Sequence, residues 1–130
     1  MTVNESIILQ SIDLISSVGG VNMDANALAE DVYLLTQAFD DEGEFQKAIS
    51  ETVRSLTQIV NGEITASKLK YSFENFNSYH YQHSRAQGNK ADMRVVYTED
   101  EQGVFVLGFG HRNCPTDIYE RLAQNRISTK

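Results

Sequence analysis

Basic and aromatic side chains that could bind a phosphate group are concentrated in the second half of the chain. They are His80, Gln82, His83, Arg85, Arg94, His111, Arg112 and Tyr119. Two arginines brought close together suit a phosphate, because each guanidinium can bind two oxygens and keeps its charge. In the alternative interpretation, Arg94 pairs with Glu99 or Asp92. Arg112 would then pair with Asp117, and both contacts would be surface ion pairs worth about 0–1 kcal/mol.

Other kinds of site have little support in the sequence. The histidines and Cys114 lack the spacing of a zinc site, and no glycine-rich phosphate-binding loop is found. Cys114 as a nucleophile would need a histidine base such as His111, and a structural cysteine is the simpler interpretation. The sequence therefore predicts neither a metal nor a cofactor.

A β-hairpin is predicted to bring the two arginines together. Its strands are Met93–Thr98 and Val104–Gly110, and the acidic segment 99–103 joins them. Antiparallel pairing sets the start of the first strand beside the end of the second. Arg94 and Arg112 are therefore expected at the same end of the sheet.

Helical patterns dominate the chain before residue 62. Apolar residues predict one helix capped by Asp24 and another with a stripe from Phe45 to Val60. In the first segment, Ile8, Ile12 and Ile15 fall at helical spacing, but Ile7–Leu9 could also form a buried strand. Residues 78–85 alternate as a strand, and Pro115 is expected to begin a short last helix. The predicted fold is α+β, with N-terminal helices packed on one face of a small antiparallel sheet and a short C-terminal helix.

Length and charge predict a single domain with an uneven charge distribution. The 130 residues carry a net charge of -7. Residues 1–50 hold nine acidic side chains and one lysine (-8), and residues 51–130 hold nine acidic side chains and ten lysines and arginines (+1). The N-terminus has no basic region before its apolar run, and no run could span a bilayer, so a cytoplasmic protein without a membrane contact is expected.

Five segments in the second half resemble, by their order, the RelE/ParE superfamily of bacterial type II toxins, and in particular the RelE-like mRNA interferases. The segments are Leu69-Lys70, Tyr79–His83, Met93–Tyr97, Val104–Arg112 and Asp117–Tyr119. The resemblance covers about residues 45–125. It implies a RelE-like core at residues 43–130 that follows an acidic N-terminal helical extension at residues 1–42.

The resemblance implies a ribosome-dependent endoribonuclease in which a ribose 2′-hydroxyl attacks the adjacent phosphate. This chemistry needs a base, a positive group for the phosphorane charge and an acid for the leaving oxygen. By position, Arg94 is similar to the family's phosphate-stabilising arginine, and Arg112 to the arginine near the leaving group. Tyr119 is similar to the tyrosine that stacks on the substrate or orients it.

The resemblance leaves the general base open among three histidines. His80 and Gln82 stand where RelE has lysines, and Gln82 cannot titrate. A histidine, with an ordinary pKa of about 6.5, could replace a lysine as the base. The candidates are therefore His80, His83 and His111.

The implied partners are a cognate antitoxin protein, the ribosome and mRNA. Two alternatives stay open. One is a non-catalytic member of the superfamily that binds a protein target, as ParE binds DNA gyrase, and the other is an α+β interaction domain. The acidic N-terminal segment also raises the hypothesis that it covers a basic face of the sheet.

Overall fold

A computed structural model describes residues 3–64, 66–69, 75–84 and 90–126. The elements follow one another as α1 (Glu5–Ser16), β1 (Val21–Asn22), α2 (Ala25–Ala38), α3 (Glu42–Val60), β2 (Ser67–Lys68), β3 (Asn77–Tyr81), β4 (Met93–Asp100), β5 (Gly103–His111) and α4 (Ile118–Asn125). The strands form one sheet in the order β1-β5-β4-β3-β2. The predicted α+β fold is confirmed, although β1 runs parallel to β5 and the sheet is therefore mixed.

Each helix begins at a side chain that accepts a backbone N–H of the first turn. The caps are Asn4, Asp24, Asp41 and Asp117, at 2.7–3.2 Å. Such a bond satisfies one of the N–H groups that a helix start leaves without a partner. The cap at Asp24 is confirmed, whereas the expected helix start at Pro115 is wrong, because the loop continues to Asp117.

The first segment, for which the sequence left helix and strand open, is a helix. A short strand, β1, follows it. Residues 5–16 form α1, which excludes the strand alternative for Ile7–Leu9. The two residues of β1 follow, with Val21 opposite Val104. A strand therefore precedes the helical pair α2 and α3, but two residues are too few to show an alternating pattern.

The hairpin has the predicted register. Arg94 lies opposite Gly110, and the backbone N–H of Arg112 donates to Asp92 O at 2.9 Å. Arg94 and Arg112 thus stand at the same end of the sheet, as expected. Both hairpin strands are longer than predicted, so the connection shrinks to residues 101 and 102. β3 ends at Tyr81, before the predicted end at Arg85, which lies outside the described residues.

The sheet has two faces with different covers. On one, named here the helix face, side chains such as Tyr81, Val95 and Phe109 share a large apolar core with residues of α1, α2 and α3. On the other, the α4 face, Val96 packs with Ile118 and Leu122 in a much smaller cluster. The division into residues 1–42 and 43–130 stays a prediction, and the helices before residue 42 contribute to the same core as the sheet.

Candidate functional site

A histidine, an arginine and a glycine lie in a row across three strands. His80 of β3 is opposite Arg94 of β4, and Arg94 is opposite Gly110 of β5. Helix α4 packs over the Gly110 end of this row. Its Ile118 and Arg121 side chains lie 3.8 and 3.2 Å from the position that a Cβ atom at Gly110 would take. The row therefore belongs to the α4 face.

Arg94 is buried at the start of β4, with only 8% of its surface exposed. Its Nη1 donates to the backbone carbonyl oxygens of Ala91 and Met93, at 2.9 and 3.0 Å. Its Nε is buried and has no hydrogen-bond partner among the described residues. No described carboxylate pairs with Arg94, so the alternative in which Glu99 or Asp92 neutralises it is wrong.

His80 and Tyr119 meet above this part of the sheet. The Tyr119 hydroxyl lies 3.5 Å from His80 Nε2 and 2.7 Å from Ser78 Oγ. Partial burial and then the positive charge of Arg94 lower the pKa of His80 below its ordinary 6.5. The imidazole is therefore mostly neutral at pH 7 and can accept a proton.

Arg112 is exposed just beyond the end of β5. Its backbone oxygen accepts the N–H of Ile118, the first residue of α4, at 2.9 Å. This bond ties the start of α4 to the sheet end at which Arg94 lies. No ion pair joins Arg112 to Asp117 within the described residues, where Asp117 instead caps α4.

The other two candidate histidines lie on the helix face, in a group named here the Phe39 cluster: Phe39, Glu44, His83, Asp92 and His111. The Phe39 ring stacks on His83 at 4.3 Å between centroids and meets His111 at 5.9 Å. Both ring nitrogens of His83 face carboxylates, Nδ1 at 2.5 Å from Asp92 and Nε2 at 3.3 Å from Glu44. His83 therefore has no ring nitrogen facing open space.

His111 is also held in the Phe39 cluster. Its Nδ1 accepts the N–H of Asn113 at 3.0 Å. Burial lowers its pKa, and the positive charge of Arg112 outside the cluster acts in the same direction, whereas Asp92 raises it. The structure thus brings His80, Arg94 and Tyr119 together, sets Arg112 at the same sheet end, and separates His83 and His111 from them.

A buried ionic network holds α4 against the sheet. Asp31 of α2 is fully buried, and its carboxylate lies 2.7 Å from Arg121 and 2.6 Å from Arg126, both near or within α4. Burial alone would lower the pKa of Arg126, but hydrogen bonds and charge from Asp31 and Glu30 raise it. Asp31 also accepts the N–H of Phe109 at 3.0 Å, so it joins α2, β5 and α4.

Close approach of α4 depends on glycine. A Cβ at Gly108 would overlap with the Leu122 side chain and lie 2.7 Å from Arg126 Nη1. Gly108 and Gly110 therefore place no side chain on the α4 face, which lets α4 approach the sheet. Phe109 between them places its ring in the core of the helix face.

Sequence reasoning missed this network, although two signals were present. Asp31 stands on the apolar stripe of α2 beside Leu28 and Val32, and Arg121 stands on that of α4 beside Leu122. A charge on a buried stripe needs a partner of opposite sign. The two stripes could therefore have been paired before the fold was known.

Comparisons of the chain with protein-family models, with curated proteins and with solved structures found no match. Within the described residues, no group of three or more His, Cys, Asp and Glu side chains could hold a metal ion. None of the described helices has both the length and the apolar composition needed to cross a membrane.

Proposed function

We propose that the chain is a RelE-like toxin of a type II toxin–antitoxin system and cleaves mRNA on the ribosome. The observation that carries the proposal is the meeting of His80, Arg94 and Tyr119 on one sheet face, with Arg112 at the same sheet end. These residues are far apart in the sequence. Their residue types match a base, a phosphate ligand and a substrate-orienting ring.

The proposed reaction is a transphosphorylation that forms a cyclic phosphate. His80 takes the proton of the 2′-hydroxyl, the 2′-oxygen bonds to the adjacent phosphorus, and the bond from phosphorus to the 5′-oxygen breaks. Arg94 binds the oxygens on which charge develops. Arg112 neutralises charge on the leaving 5′-oxygen, which takes its proton from water.

The Nε of Arg94, unpaired among the described residues, supports its role as a phosphate ligand, and the burial of its side chain requires that substrate binding expose it. A buried guanidinium nitrogen without an acceptor costs about 1–3 kcal/mol, and a phosphate oxygen would supply the missing acceptor at Nε. Because Arg94 is only 8% exposed, substrate binding has to uncover more of it. The proposal therefore requires movement of the residues above the row.

The charge of the chain favours the ribosome as the setting of the reaction. Unaided RNA binding depends mainly on neutralising phosphates, and a net charge of -7 opposes it. On a ribosome, the message is held by the ribosome itself, so the local positive charge of Arg94 and Arg112 is enough to bind the phosphate at the cleavage site. The proposed partners are thus mRNA, the ribosome and a cognate antitoxin, in the cytoplasm.

The test is induced expression of the wild type beside Arg94→Ala and Arg112→Ala, with mapping of mRNA 5′ ends on translating ribosomes. We expect toxicity and new 5′ ends with the wild type, and a loss of about 10²–10³-fold in cleavage for Arg94→Ala, as for removal of one charge-stabilising donor. Glu101→Ala in the hairpin turn is the control and should cleave like the wild type. Intact messages with the wild type would contradict the proposal.

The burial of Arg94 favours a second candidate, a non-catalytic protein that binds a protein target such as DNA gyrase. A buried arginine bonded to backbone carbonyls can serve the fold alone. In that case the wild type is toxic without new mRNA 5′ ends. An α+β interaction domain without toxicity is the third outcome.

A further inference from the structure

A buried serine hydroxyl lies behind the candidate site. Ser78 of β3 is 1% exposed, and its Oγ lies 2.7 Å from the Tyr119 hydroxyl. Its neighbour on β4 is Val96, on which Ile118 and Leu122 pack. A hydroxyl in such apolar surroundings costs free energy unless it is hydrogen-bonded. Alanine would suit the position better if packing alone determined the residue.

The bond between the Ser78 and Tyr119 hydroxyls can run in either direction, and its direction affects where the proton of Tyr119 points. A tyrosine hydroxyl has one proton to donate and can accept another hydrogen bond. If Ser78 donates to Tyr119, the tyrosine hydroxyl can donate its proton to His80 Nε2, which lies 3.5 Å away. A neutral imidazole that accepts at one nitrogen carries its proton on the other.

We propose, on the basis of the function proposed above, that Ser78 is a positioning residue: it holds the Tyr119 hydroxyl so that Nε2 of His80 stays unprotonated and ready to act as the base. A separation of 3.5 Å is at the long limit of a hydrogen bond, so a ribose 2′-hydroxyl can replace Tyr119 at Nε2. Among the described residues, Arg94 of β4 and Tyr119 of α4 face His80 from the elements packed against it.

The chain contains a matched pair on the helix face. Thr52 Oγ1 lies 2.8 Å from the hydroxyl of Tyr81, and both side chains are buried. No candidate site residue bonds to this pair in the described part of the chain. Thr52→Val therefore removes a buried hydroxyl bonded to a tyrosine without touching the site.

The experiment measures kcat, KM and the acid limb of the pH profile for mRNA cleavage on programmed ribosomes. We expect Ser78→Ala to lower kcat about tenfold, the worth of one hydrogen bond, with KM unchanged. The acid limb should move to higher pH, because neutral His80 loses the bond that favours it. Tyr119→Phe should lower kcat at least as far, and adding Ser78→Ala to it should change kcat no further.

A structural role for Ser78 gives different results. Thr52→Val should melt at a lower temperature with kcat and the acid limb unchanged, and the same behaviour of Ser78→Ala would overturn the inference. Effects of Ser78→Ala and Tyr119→Phe that multiply in the double variant would also overturn it.

The inference can fail separately from the proposed function. If the wild type does not cleave, the proposed function is wrong, and ¹⁵N NMR of the His80 ring still tests the positioning. We expect one neutral tautomer with the proton on Nδ1 in the wild type and a mixture in Ser78→Ala. The same tautomer population in both proteins would overturn the inference.

Discussion

The two faces of the sheet carry histidines in opposite situations. On the helix face, both ring nitrogens of His83 are directed at carboxylates and its ring is stacked on Phe39. On the α4 face, His80 is exposed, and within the described residues its Nε2 makes a long contact with Tyr119 at 3.5 Å. Both residues lie near the end of one strand. The comparison teaches that the cover of each face, and not the residue type, determines which histidine ring is accessible.

The covers differ in what holds them. The helix face is closed by a large apolar core around Phe45, Leu56 and Phe109. The α4 face has a small apolar cluster and depends on Asp31 to bind the two arginines. We therefore expect α4 to be the less firmly held of the two covers.

The largest expected effect separates the two histidines. His80→Gln should lower cleavage on ribosomes by about 10²–10⁴-fold, the usual contribution of a general base. His83→Gln keeps a polar side chain but loses its two-sided binding to carboxylates, so it should reduce the melting temperature and leave cleavage within about threefold. The reverse order of the two cleavage rates would break the comparison.

The next effect concerns the cover of the α4 face. Asp31→Ala removes the fully buried carboxylate that Arg121 and Arg126 share and leaves them the half-exposed Glu30, which should cost about 3–5 kcal/mol of the free energy of unfolding. Glu30→Ala is the control, because Glu30 is half exposed in the same network and should cost about 1 kcal/mol or less. Urea unfolding measures both, and equal losses would show that Asp31 is not the anchor.

A smaller effect tests the close approach of α4. Gly108→Ala should cost about 1–3 kcal/mol, because its Cβ would overlap with Leu122 and the helix has to move. Gly19→Ala is the matched control, since a Cβ there meets nothing within 4 Å. Melting temperatures of the two variants should therefore differ clearly. If they agree, α4 is free to shift away from the sheet.

The smallest effect is on the pH dependence of stability. Partial burial lowers the pKa of both His80 and His111 in the folded chain, so the unfolded chain binds protons more tightly near their ordinary pKa. The contribution of the two neutral histidines to the free energy of unfolding is complete above about pH 6.5. It is lost as the pH falls from there through their lowered pKa values. His111→Gln should reduce the drop in melting temperature between pH 7.5 and 5.5. A larger drop in the variant would contradict the sign.

The sequence predicted features that depend on many neighbouring residues. The period of α3, the cap at Asp24 and the pairing of Arg94 with the end of β5 all follow from local patterns or from antiparallel geometry. The structure confirms them. The resemblance and the function it implies stay a proposal, because the comparisons found no match.

Other features were set by contacts between distant segments. β1 exists because Val21 and Asn22 pair with Val104 and Phe105, more than 80 positions later, and no local pattern can indicate this pairing. The surroundings of His83 were set in the same way, because β3 ends at Tyr81 and His83 lies beyond it. Strand alternation sets His80 and His83, three positions apart, on opposite faces, but it gives no indication of the carboxylates that bind His83 or of the tyrosine beside His80.

The most direct test of the central claim uses purified protein and ribosomes programmed with a short mRNA. One message is all ribose, and a second carries a single 2′-deoxy nucleotide on the 5′ side of the mapped cleavage site. We predict cleavage of the first to a 2′,3′-cyclic phosphate end, and no cleavage at the substituted position in the second. Equal cleavage of both messages would contradict 2′-hydroxyl attack at the His80, Arg94 and Tyr119 site.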